Sequence, residues 1–195
     1  IDALTSLDTD RVLRDGAFSS LVLRHALDAT DWAERDRAMA AELLYGTLTW
    51  LRPLDVALNA WLPKGLTSLP PLAQNVLRVA AYELLRPGRG AAAHAAVSQG
   101  VETMRAAGFA NLAGVTNAVL RRIAEFGAPL LATPDATSEE TLAVSGSLPT
   151  WTARALVGLR GLEGAAAAVA AWNGPTPTHL RVRRGQDAAG VGHVE

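Results

Sequence analysis

Asparagine and arginine carry the chemistry this chain offers, and they gather in a few places. In the segment GVTNAVLRR, Gly114 to Arg122, helical spacing puts Leu112, Val115, Val119, Ile123 and Phe126 on one apolar stripe. Asn117 and Arg121 then point away from the stripe, with Arg122 at its border. An amide and guanidinium groups on an outward face suit phosphate or a base edge, because guanidinium is planar and donates in pairs. Asn117 has a competing structural use, a hydrogen bond to a neighbouring helix end, and its type favours that use. Two further clusters sit beside glycine turns: Arg11 and Arg14 before Gly16, and Arg86 and Arg89 around Gly88. These arginines are candidates for phosphate contact, against the alternative of solvated or salt-bridged surface charge.

Other chemistries lack their residues. The chain of 195 residues has no cysteine, which removes disulfides, thiolate metal sites and thiol nucleophiles. His25, His94, His179 and His193 share no three- or four-residue spacing, so no histidine metal site is expected. Gly158, Gly161 and Gly164 recur at every third position but follow a helical pattern, and a nucleotide-binding glycine loop must follow a strand. Glu139, Glu140 and Asp36 read as solvated acids at helix starts. No nucleophile, base and orienting group stand at a recognisable spacing.

Charge is balanced, with 18 Lys+Arg against 19 Asp+Glu, so any polyanion contact has to come from local patches and not from a general positive field. Apolar residues make up 49%, enough for a packed core, and no uninterrupted apolar run approaches the roughly 18 residues of a membrane span. With no signal peptide pattern, a cytoplasmic location is expected.

The elements that must hold these residues are helical. Apolar residues at helical spacing follow Gly16 (Leu21, Leu23, Ala26, Leu27), then Arg37 (Ala38, Ala41, Leu44, Tyr45, Leu48), then Pro53 (Leu54, Ala57, Leu58, Trp61). Pro70-Pro71 opens a helix whose apolar residues, from Leu72 to Leu85, face almost every direction and mark it as the central one. Two more run from about 91 to 107 and from 111 to 126. Phe18, Tyr45 and Tyr82 are expected in the core, and no exposed aromatic series for base stacking is evident. The expectation is an all-α bundle of six or seven helices over residues 1–126, a linker over 127–137, and the start of a small, incomplete α/β subdomain over 138–195. That second unit opens at Leu148-Pro149-Thr150-Trp151, turns near Gly161 and Gly164 into the helix Ala165 to Trp172, and ends in a strand from Thr178 to Val182. The apolar start at Ile1, Leu4 and Leu7 and the partnerless strand suggest a sequence cut at both ends.

Several segments together resemble one family: the NusB-like RNA-binding domain, in the form fused to the front of the bacterial rRNA (cytosine-C5) methyltransferases of the RsmB, or Sun/Fmu, type. They are Gly16-Ala17-Phe18-Ser19, RDRAMAAELLYGTL (Arg35 to Leu48), LRVAAYELL (Leu77 to Leu85), AHAAVSQGVE (Ala93 to Glu102) and GVTNAVLRR. A free-standing NusB antitermination factor, which acts through RNA and a ribosomal protein partner, would stop soon after this last helix. Here Trp172-Asn173-Gly174-Pro175 and His179-Leu180-Arg181-Val182 resemble the subdomain that precedes the catalytic domain. The family pattern departs at Arg183, where an asparagine is usual. The resemblance implies ribosomal RNA as partner and, for the parent 16S rRNA enzyme, S-adenosylmethionine and a catalytic methyltransferase domain in cis. Methyl transfer of that type needs a cysteine thiolate and a strand-and-glycine-loop cofactor site. This chain has no cysteine, so its expected part is RNA binding, with no cofactor and no metal of its own.

Overall fold

The computed structural model describes residues 2–85, 93–126 and 136–174, and every regular element among them is helical. Seven helices form the first part: α1 (Asp2–Asp15), α2 (Ser19–Asp28), α3 (Glu34–Thr49), α4 (Leu51–Trp61), α5 (Pro71–Leu85), α6 (Ala93–Ala106) and α7 (Ala113–Phe126). Short links of polar residues, proline and glycine force antiparallel and crossed packing. Gly16, Gly65 and Gly108 take the left-handed conformation in three of those links.

α5 is the axis. Ala73, Val76, Leu77, Val79, Ala80, Ala81 and Tyr82 are all buried, and the helix packs against α1, α3, α4, α6 and α7. Pro71 starts it with its fixed φ and no wasted donor. Leu43, Leu54, Leu58, Met104, Leu120 and Ile123 are fully buried around it. Each such side chain contributes about 1.5–3 kcal/mol by leaving water. Two glycines permit the close approaches: a Cβ on Gly46 of α3 would fall 2.0 Å from the Tyr82 ring, and one on Gly100 of α6 would fall 2.6 Å from Leu120.

A polar spine crosses this apolar interior. Asp10 of α1 accepts a 3.1 Å hydrogen bond from the Asn75 amide, and Arg78 donates from Nη1 to Asn75 Oδ1 at 2.8 Å. The Arg78 guanidinium also holds both oxygens of Asp55 on α4, at 2.7 and 2.9 Å. Every buried charge in the chain of contacts meets an opposite one, which is the condition for placing charge near a core at tolerable cost.

Beyond α7, α8 (Glu139–Ser145) and α9 (Thr150–Asn173) form a hairpin with its own small core of Leu142, Ala143, Ala153, Ala165 and Val169. Ser138 and Thr141 cap α8 reciprocally. The small subdomain expected as α/β is helical over its described residues, and the strand expected at 178–182 lies outside them. α9 is long and apolar enough, by length and composition, to cross a membrane, with a mean hydropathy of 1.2. Gly161, at φ 68 and ψ 170, divides it into two stretches of about 11 and 12 residues. Each is roughly 17 Å long, well short of the ~30 Å hydrocarbon layer.

Arg52 fastens this hairpin to the bundle. Its backbone N–H, at the start of α4, donates to Ser147 Oγ at 3.3 Å, and its guanidinium reaches the Leu148 carbonyl, Thr150 Oγ1 at 3.2 Å and Glu140 at 2.9 Å. Ser147 takes a left-handed φ of 53 in the turn these bonds hold, and Asn173 donates to the Gly146 carbonyl at 3.2 Å. Glu139 and Glu140 stand in the first turn of α8 with solvent-exposed side chains, as expected, and both are also paired, Glu140 with Arg52 and Glu139 with Arg154 at 3.2 Å.

Candidate nucleic-acid interface

α7 meets the core through Ala113, Thr116, Val119, Leu120 and Ile123. The stripe expected from spacing was rotated: Val119 and Ile123 are buried, Leu112 is half-buried in the preceding 3₁₀ turn, and Val115 and Phe126 are exposed. Thr116 and Leu120 take their place because α5 and α6 both press on that side. The outward placement of Asn117 and Arg121 is as expected, and Arg122 is exposed too.

Asn117 sits in the furrow between α6 and α7. One cavity of about 480 Å³ is lined by His94, Val97, Ser98, Asn117, Arg121 and Glu125. A second, of about 380 Å³, continues it past Ser98 and Asn117 to Arg105, Glu102 and Gly114. Asn117 therefore stands where the two join. Among the described residues neither its amide nor the Arg121 guanidinium has a hydrogen-bond or ion-pair partner, so the structural bond expected for Asn117 is not made there. Gly100 lets α6 lie close against Leu120 and Ala80, and so helps set the furrow.

A helical domain with a polar furrow is compatible with many uses, and the relatives narrow them. The NusB family profile matches residues 1–125. The chain belongs to the NusB family. It is also similar to ribosomal RNA small subunit methyltransferase B of Thermus thermophilus, with 38% identity over 181 residues, 93% of this chain and 39% of that protein. A probable ribosomal RNA small subunit methyltransferase B of Bacillus subtilis is 28% identical over 171 residues, 85% of this chain and 35% of its own length. The chain thus spans well under half the length of these relatives.

Within the NusB helices the remaining candidates fall into separate groups. Arg11 and Arg14 lie on α1, exposed, each beside a buried aspartate: Arg11 is 3.5 Å from Asp8, and Arg14 is 3.0 Å from Asp10 and 3.1 Å from Asp15. Their first role here is to neutralise carboxylates that α1 carries into the interior. The Asp15 hydrogen bond and the fields of both aspartates hold the Arg14 proton more tightly than usual. Arg86 and Arg89 lie outside the described residues. Among the described residues no three His, Asp or Glu side chains gather as a metal site needs.

The aromatic expectation needs correcting. Phe18 is 76% exposed at the N-terminus of α2, Tyr45 is 41% exposed, and only Tyr82 is buried. Trp61, placed on the buried side of α4 by its spacing, is 39% exposed. Its ring stacks on Phe126 of α7, with centroids 5.9 Å apart and planes inclined at 28°. Arg122 lies over both rings, at 5.6 and 5.9 Å. Positions 61 and 126 are far apart in sequence, and no periodicity signals their meeting.

Proposed function

We propose that this chain is the rRNA-engaging N-terminal part of an S-adenosylmethionine-dependent 16S rRNA (cytosine-C5) methyltransferase, and that it contributes binding and not chemistry. One observation carries the reading: the likeness to the Thermus methyltransferase covers 93% of the chain, so it continues past the NusB helices into the α8–α9 hairpin that Arg52 fastens. Residues 1–126 form the RNA-binding domain in this reading. The segment after it leads toward a catalytic domain in cis, and the protein works in the cytoplasm. A NusB-type antitermination factor acting with a ribosomal protein is the weaker reading, since it gives no reason for the hairpin.

The described residues do not fit S-adenosylmethionine. Gly158, Gly161 and Gly164 sit in a helical hairpin, where no strand end presents backbone amides to a ligand. With no cysteine in the sequence either, no step of methyl transfer is assigned to these residues. Their part is to hold rRNA, with the Arg121 guanidinium on phosphate and the Asn117 amide on phosphate or a base edge.

Titration of the chain with labelled 16S rRNA fragments over a range of salt concentrations tests this. Affinity is expected to fall steeply with salt. Arg121→Ala should flatten the log–log slope by about 0.7 to 0.9, the contribution of one lost phosphate contact. Absent or salt-insensitive binding sinks the RNA reading, and an Arg121→Ala variant with wild-type slope removes the furrow from it.

A further inference from the structure

The stacked Trp61–Phe126 pair with Arg122 across it has no part in the core. Leu54 and Leu58 of α4 and Leu120 and Ile123 of α7 are fully buried core residues of these helices, while the two rings and the guanidinium remain between 39% and 55% exposed. Resting on the RNA-binding reading above, we infer that Trp61, Phe126 and Arg122 form a stacking platform for an unpaired RNA base, across the exposed half of α7 from the Asn117–Arg121 furrow.

Geometry on α7 links the two features. At about 100° per residue, Arg121 lies roughly 40° round the helix from Asn117, Arg122 about 140° and Phe126 about 180°. One exposed half of the helix therefore presents, in order, an amide, two guanidinium groups and a ring, over a length of about 13 Å. A single strand crossing this half of the helix meets both kinds of group it needs: cations for the backbone, and flat faces on which bases stack whatever their identity. Arg122 serves both needs, because its plane stacks and its charge meets phosphate. Its nearest acid, Glu125 at 3.6 Å, is itself exposed, so solvent weakens that pairing and a phosphate can displace it.

Other occupants fit less well. A stable protein interface buries about 800 Å² per partner, and two rings of roughly 150–250 Å² each, already half covered, supply a small fraction of that. A duplex keeps its bases stacked inward, where a surface ring cannot reach them.

The test uses the full 195-residue chain and a single-stranded 16S rRNA fragment carrying 2-aminopurine, whose fluorescence drops when it stacks on a ring. The expected result is quenching on binding and preference for the single strand over its duplex. Trp61→Ala and Phe126→Ala should weaken binding about tenfold or more, with the salt slope unchanged because no phosphate contact is lost. Trp61→Phe keeps a ring and should retain most of the affinity and the quenching, which guards against misreading a folding defect. Normal salt-dependent binding with no quenching, or with both alanine variants at wild-type affinity, overturns the platform and leaves the RNA reading standing. Failure of the wild type to bind any RNA overturns both.

Discussion

Two buried aspartates of α1, two residues apart and so on nearly opposite sides of the helix, set its energetics. Asp8 and Asp10 are both buried, yet they are treated differently. Asp10 accepts from Asn75 and lies beside Arg14, whereas Asp8 has Arg11 at 3.5 Å as its ion-pair partner. Burial raises the Asp8 pKa, and the charges of Arg11 and His25 only partly offset this. A raised carboxyl pKa means that the folded state holds the proton more tightly than the unfolded one. The resulting stabilisation is complete below the unfolded pKa and is lost as pH rises through the folded one. Asp8→Asn should therefore flatten the pH dependence of the urea midpoint above the ordinary aspartate pKa of about 3.9 and raise stability at neutral pH. An unaltered profile would show that Asp8 is not the titrating group. The residue types near Arg11 and Arg14 were legible in the sequence, but their pairing was not, since a charged residue does not announce which of its neighbours will be buried.

Helix identity and helix phase are separate questions at the level of the element. Spacing, prolines and glycines located α2 to α7 to within a few residues, because an amphipathic period and a helix breaker are local properties. Phase depended on neighbours. Of the stripe expected through Ala38, Ala41, Leu44, Tyr45 and Leu48, Leu44 is buried, but α3 also buries Ala40, Leu43 and Thr47 and leaves Ala38 and Tyr45 exposed, so the face is turned by a fraction of a revolution. The Tyr82 ring of α5 occupies the space over Gly46 on this helix. Gly46→Ala should cost about 1–3 kcal/mol in chemical denaturation, the usual range for overpacking. The penalty should shrink in a Tyr82→Ala background, where the obstructing ring is gone. Additive losses would mean that the two positions do not meet. In α7 the same dependence on neighbours left Phe126 outside the core, free to pair with Trp61.

For the whole molecule, the decisive contact joins α4 to the hairpin 88 to 98 residues later in sequence. Arg52→Ala should speed hydrogen exchange across α8 and the first half of α9 about tenfold, while α5 keeps its protection. Arg52→Lys should restore little, because an ammonium cannot span a carbonyl, a hydroxyl and a carboxylate in one plane. Unchanged exchange would show that the α8–α9 core stands without the clamp. By itself the sequence determined the helical class, the break points, the membership of the NusB family and the lack of a thiol nucleophile, all of which rest on local pattern and residue type. Tertiary structure alone decided which faces were buried, how α1 keeps its aspartates, and that Trp61 of α4 comes onto Arg122 and Phe126 of α7. Those outcomes depend on packing between elements distant in the chain, and the period of a single helix holds no information about its partner.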